Sequence, residues 1–232
     1  VRSRGLVDVY KRQFLGFGRQ MAMGIQVQAA TVILGSQNLV AVLGIVTAVG
    51  SMISMALCPL LIKKLNERNA YILLSVYGFA ASVFSFVIGH FWFQSPKNMV
   101  LTVLFYASLF LIGLQFGAVT LMPMIMTADT VDYYEHETGK RMEGACYSIL
   151  TLTIKVCLAL GTAVGLIFVQ KSGYYESLSA GTFTNKTKDI IFFAYTALPG
   201  ILALLSIVPM FKYDIVGEKK SKISSDLASR RK

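Results

Sequence analysis

Six apolar runs, each about twenty residues or longer, constrain this chain more than any motif in it: residues 14–34, 39–62, 70–92, 99–126, 145–169 and 190–211. A hydrocarbon core about 30 Å thick is crossed by about 20 helical residues, and inside it every backbone N–H and C=O must find its partner within the protein. Runs of this length therefore predict helices that span a membrane. The composition agrees. Hydrophobic residues make up 55% of the chain and charged residues 15%, with a mean hydropathy of +0.61, against about 25% charged in a soluble domain. The expected class is an all-α membrane protein with six transmembrane helices. A net charge of +10 would suggest nucleic acid in a soluble protein. Here its distribution between loops matters instead, and no nucleic-acid partner is expected.

The stretch 126–165 changes character twice. An apolar run ends at Asp129, a charged loop follows with Asp132, Glu135, Glu137, Lys140, Arg141 and Glu143, and a second apolar run contains Lys155. On a helix Glu143, Tyr147, Thr151 and Lys155 recur every four residues and share one face. At about 1.5 Å per residue Lys155 lies roughly 18 Å beyond Glu143, past the middle of the bilayer. A charge there costs at least about 2.5 kcal/mol against lipid, so it should face a partner or a water-filled cavity. The acids and the guanidinium of the loop can pair when a passage closes and become hydrated when it opens. The residues alone leave two readings: a gate made of Asp129, Asp132, Glu135, Arg141 and Glu143, which a family likeness carried by the same stretch favours, or a solvated loop whose acids merely bind water.

The ordered set Asp129, Asp132-Tyr133, Arg141, Glu143, Tyr147 and Lys155 resembles the corresponding loop and helix of the glycoside-pentoside-hexuronide:cation symporters, the melibiose-permease-like branch of the major facilitator superfamily. The likeness extends more weakly over residues 14–213, the second half of such a transporter. It implies a six-helix, carboxy-terminal half of a major-facilitator fold, with the amino-terminal half as its missing partner. It implies a sugar or glycoside as substrate and co-transported Na⁺ or H⁺, with the cation-binding acids mainly in that other half. Lys155, Thr151 and Tyr147 would then line the central substrate site. Thr120 stands where some members carry a sugar-stacking tryptophan, so aromatic stacking is not implied here. Residues 1–13 match no part of the family and read as a non-native or disordered leader; residues 214–232 read as a disordered basic tail.

Several features are ambiguous from the residues alone. Arg19 and Gln26 share a helix face in the first run, and the arginine suits either a pore or a side chain reaching for the membrane surface. Gly44, Gly50 and Pro59 read as packing and bending features of the second run. His90 to Phe93 read as an interfacial aromatic belt, Pro123 as a bend in the fourth run, and Pro199-Gly200 as a kink in the sixth. Cys58, Cys146 and Cys157 lack a CxxC spacing and read as free thiols. No metal cluster, phosphate loop or nucleophile-base set is present, which excludes an enzyme and any resident cofactor.

Alternating the loops across the membrane places sixteen of the 22 Lys and Arg residues on one side and four on the other. The positive-inside rule makes the first side cytoplasmic, with both ends inside a bacterial inner membrane. The expected function is secondary active transport of a sugar by alternating access. The alternative is a non-transporting membrane sensor or lipid-handling relative, in which Lys155 balances a structural acid.

Overall fold

The computed structural model describes residues 14–95, 98–213 and 215–230, and among them every regular element is helical. The first thirteen residues, read above as a leader, lie outside the described residues. The first run forms two helices, Phe14–Gly24 (α1) and Gln26–Leu34 (α2), parted at Ile25, whose φ of −110° and ψ of 11° leave the α-helical basin. Gly35 stops α2 at a φ of 75°, a conformation that costs only glycine little.

Val40–Gln94 (α3) is 55 residues long, but Asn66 within it has φ 64° and ψ 161°. The element is therefore two rods, 40–65 and 67–94, that turn at the basic segment between the second and third runs. Asn98 caps the next helix, Met99–Thr138 (α4), its side chain accepting from the N–H groups of Val100 and Leu101 at 3.0 and 3.4 Å. Glu143–Lys171 (α5) follows, then the short Tyr174–Ser179 (α6) between the fifth and sixth apolar runs. The last apolar run comprises Asn185–Phe192 (α7), a π-helical turn at Phe193–Ala197 and Leu198–Leu205 (α8). The π turn sits where Pro199 denies an N–H to the ladder and crowds the carbonyl four residues earlier, which accounts for the expected irregularity. Four helical stretches, Val40–Gln94, Met99–Thr138, Glu143–Lys171 and Asn185–Leu205, are long and apolar enough to cross a membrane.

Small residues set the closest helix contacts. A Cβ on Gly161 would lie 3.0 Å from both the Met21 nitrogen and the Phe17 carbonyl oxygen, and one on Gly24 would lie 2.9 Å from the Thr162 Cα. The Gly161-x-x-x-Gly165 spacing of α5 thus lays it directly on α1. Gly113 and Gly117 of α4 meet the Thr47 and Ser51 carbonyls of α3 in the same way, and Ser51 Oγ donates to the Gly113 carbonyl at 3.0 Å. In lipid, where burial does not drive helices together, such contacts carry the association. Gly50 joins this packing, as expected, whereas Gly44 meets only the Gln26 amide and borders a cavity.

Two apolar cores bracket the bundle. One gathers Ile25, Phe93, Phe105 and Phe192; the other gathers Tyr71, Met122, Met126 and Met210. The aromatic end of the third run is partly drawn into the first core: Trp92 stacks on Phe105 at 4.6 Å and donates to Thr102 Oγ1 at 3.0 Å, while Phe91 stays exposed. Met52, Leu60, Val100, Leu160 and Phe211 are exposed as well, an outer surface suited to hydrocarbon rather than water.

Two expectations are corrected. The charged segment after Asp129 is loop only at residues 139–142: α4 continues to Thr138, since no breaker occurs before Gly139, which ends the helix at φ 68° with its N–H on the Glu135 carbonyl. The basic tail is not disordered in its described part. Gly217–Arg230 forms a helix (α9) that buries Ile223 and Leu227 against the second core, an i, i+4 apolar pair on one face.

Candidate functional site

Helical continuation of α4 places Asp132 and Glu135 three residues apart on one face at its end. Arg141, in the four-residue link to α5, turns back onto both. Its guanidinium donates to Glu135 at 2.9 Å, to Glu143 at 3.1 Å and to Asp132 at 3.4 Å. These bonds raise the Arg141 pKa above its ordinary value, the Glu135 contact first. The clasp is solvent-exposed, so each contact is individually labile. Four of the five residues expected in a gate are thus brought together.

Asp129 is not among them. It is buried one turn further into the bundle and binds Lys220 of α9 at 2.8 Å, while the same ammonium donates to the buried Glu67 at 2.6 Å. Burial pulls the Lys220 pKa down, but its hydrogen bonds to Asp129 and Glu67 outweigh this and raise it overall. Around this ion triad α9 is fastened by His136 Nε2 to Asp226 at 3.1 Å, by Arg230 donating to the His136 carbonyl at 3.1 Å, and by Lys219 over the Tyr133 ring. Lys220 and Asp226 were not singled out from sequence. The available signal was Lys220, Ile223 and Leu227 at i, i+3 and i+7, the pattern of a helix with one docked face.

The stripe expected to line a passage lies on α5. Thr151 and Lys155 are exposed and Tyr147 is half-buried, on the side of the helix turned away from the buried Cys146 and Leu150. Thr151 Oγ1 donates to the Tyr147 carbonyl at 2.9 Å, which leaves its lone pairs as acceptors. Lys155 has no partner among the described residues, and Leu152, Val156 and Leu160 beside it are also uncovered. Thr120, half-buried on α4, spends its proton on the Phe116 carbonyl at 2.8 Å.

Arg19 turns inward. Its guanidinium lies over the Phe116 ring, 5.9 Å from the centroid, and its Nε is buried with no hydrogen-bond partner. It borders a cavity of about 310 Å³ together with Gln26, Thr47 and Ser51.

Comparison with known proteins decides the family. Residues 19–217 match the pattern described as MFS/sugar transport protein. The chain belongs to that family. Members are transport proteins, not enzymes, and this one is accordingly a multi-pass membrane protein. Among its relatives, a putative sulfoquinovose importer of Escherichia coli is 24% identical over 90% of this chain and 42% of its own length. A glucuronide carrier protein homolog of the same species is 24% identical over 79% of this chain and 38% of its own. An inner membrane symporter, YicJ, is 31% identical over 55% of this chain and 27% of its own. The chain spans about half the length, or less, of the curated relatives it matches.

Proposed function

We propose that this chain is the carboxy-terminal half of a cation-coupled sugar symporter that works by alternating access. The α1–α2 pair, the two rods of α3, α4, α5 and the α7–α8 unit make six crossings, with both ends on the cytoplasmic side of a bacterial inner membrane. The observation that carries the reading is the uncovered stripe of Tyr147, Thr151 and Lys155. Intramembrane lysine is costly against lipid but not in a hydrated passage shared with a second half. There it can hold acids supplied from across the passage and exchange them for the transported Na⁺ or H⁺. Thr151 and Tyr147 offer oxygen atoms to sugar hydroxyls one and two turns away, and Thr120 faces the same task from α4. The relatives named as importer, carrier and symporter support sugar as the cargo.

The Arg141 clasp, with Asp132, Glu135 and Glu143, serves as the cytoplasmic gate. Its bonds are exposed and numerous, so they can break and re-form singly as the halves rock. Asp129 supports that gate indirectly, by anchoring α9 beneath it.

The test is sugar uptake by the full-length protein in Na⁺ and in Na⁺-free buffer, for the natural sequence and for Lys155→Ala. The expected result is a variant that reaches the membrane in normal amount and has lost accumulation against a gradient. Accumulation driven by either ion in a well-expressed Lys155→Ala protein would remove lysine from the mechanism; failure to accumulate in the membrane would assign it a structural acid.

A further inference from the structure

The two rods of α3 and Leu114 of α4 line an apolar groove of about 510 Å³ that neither the lysine stripe nor the ionic clasp uses. On the first rod its lining runs from Lys64 back to Ser54, and on the second it reaches Tyr77, so both walls start near the Asn66 turn and extend about as far from it. At about 1.5 Å per residue those ten or so residues measure about 15 Å, half of a hydrocarbon core about 30 Å thick. The groove therefore crosses one leaflet and stops. Leu57, Leu60 and Leu73 along it are exposed. At its deep end Tyr77 spends its proton on the Leu111 carbonyl at 3.0 Å and adds wall rather than a donor.

The mouth is chemically different. Lys64 lines it and Lys63 stands next in the chain; both are exposed, and neither pairs with an acid among the described residues. Glu67, the acid nearest them in sequence, is buried and holds Lys220 at 2.6 Å, so it offers them no counter-charge. Uncompensated positive charge thus stands where the rods leave the hydrocarbon, above an apolar slot one leaflet deep. A soluble anion would match the lysines and leave the leucines bare; a chain without net charge would do the reverse. We infer that the groove is a binding site for an anionic phospholipid, with one acyl chain between the rods and its phosphate at Lys64 and Lys63. Lysine suits that position, because its stem lies along apolar wall while its ammonium stays at headgroup level. The site requires only that the two rods of α3 cross the membrane, and it rests on neither the sugar nor the coupled ion.

The experiment uses full-length protein with its own cysteines replaced by alanine and a bimane on Leu57→Cys, reconstituted in phosphatidylcholine vesicles. A minor fraction of the lipid is phosphatidylglycerol with brominated chains or, in parallel, phosphatidylcholine with the same chains. Bromine quenches the bimane only on contact, so the two series compare occupancy of the groove. Phosphatidylglycerol is expected to be preferred by about five- to twentyfold, about fivefold for each lysine near its phosphate. Lys63→Gln combined with Lys64→Gln should abolish the preference. Lys186→Gln, the same change at an exposed lysine at the opposite end of the bundle, should leave it intact. Glycerol 3-phosphate in the buffer should not compete. Equal quenching by the two lipids would mean ordinary contact with the bilayer and overturns the inference. Quenching by neither would place protein over the groove, the other half of the transporter or a second copy, and overturns it too. Competition by glycerol 3-phosphate would replace the lipid with a soluble phosphate, and a preference that survives the double lysine variant removes Lys63 and Lys64 from the site.

Discussion

Lys155 and Lys220 are both lysines against apolar surroundings, and the difference between them separates transport from scaffolding. Lys220 is held by two buried carboxylates, Asp129 and Glu67; Lys155 is held by none among the described residues. Lys220→Ala would strand both acids. Removing one partner of a fully buried pair costs about 3 to 5 kcal/mol, and since Lys220 is itself partly open to water a loss of about 1 to 3 kcal/mol in the docking of α9 is expected. Faster tryptic cleavage at Lys222 in the folded protein would report it; an unchanged cleavage rate would show that Ile223 and Leu227 dock the helix unaided. Because the folded-state pKa of Lys220 is raised above its ordinary 10.5, its contribution is complete below that value. It is lost as pH rises through the higher, folded-state value, so the same cleavage should accelerate only in strong alkali. The Lys155 stripe could be read from sequence because a four-residue repeat is local. The Lys220 triad could not, since its members are joined only by the fold: Lys220 and Glu67 lie 153 residues apart.

At the scale of elements, the apolar runs indicated where helices lie, while their ends and partners depended on less local features. Helix α4 outlasts its apolar run through Thr138 because neither glycine nor proline breaks the ladder before Gly139. That continuation aligns Asp132 with Glu135 and lets one arginine hold both. The break at Ile25 follows Gly24, a weak marker in sequence because an isolated glycine is tolerated inside a helix. The pairing of α1 with α5 rests on Gly161 and Gly165, and at Gly161 an added side chain must displace backbone. Gly161→Leu, with its Cβ 3.0 Å from the Met21 nitrogen, is expected to destabilise the bundle by about 1 to 3 kcal/mol. A lower melting temperature in detergent, with Gly144→Leu as the open-space control, would show it. At the other end of α5, Arg141→Gln should leave that melting temperature unchanged, because the clasp is exposed, and should instead alter the rate of exchange between inward- and outward-open states. Equal accessibility of a gate cysteine to a maleimide in Arg141→Gln and the natural sequence would remove the clasp from gating.

For the whole molecule, the working arrangement depends on which face of the membrane each turn meets. The link at Asn66, the Arg141 clasp and α9 must share one side, because Lys220 reaches Glu67 and Asp129 together and Arg230 reaches the His136 carbonyl. The turn at Ser95 and the segment around Ser179 then belong to the other side if each intervening rod crosses once. The pairing of His90 with Asp189 at 3.0 Å ties the end of the third run to the start of the last and so supports that grouping. Ion pairs thus fix which turns are neighbours, and the excess of Lys and Arg is the ground for expecting the group with Asn66 and Ser224 to face the cytoplasm. Asn66, Ser95, Ser179 and Ser224 are all exposed, so each can carry a reporter cysteine without disturbing the core. In full-length protein with its other cysteines replaced, Cys at 95 and 179 is expected to react with a membrane-impermeant maleimide on intact cells. Cys at 66 and 224 is expected to react only after permeabilisation. Labelling of 66 and 224 from outside would invert the orientation yet keep the grouping, whereas 66 and 224 labelling from opposite sides would contradict the docking of α9 itself and with it the link between that helix and the gate.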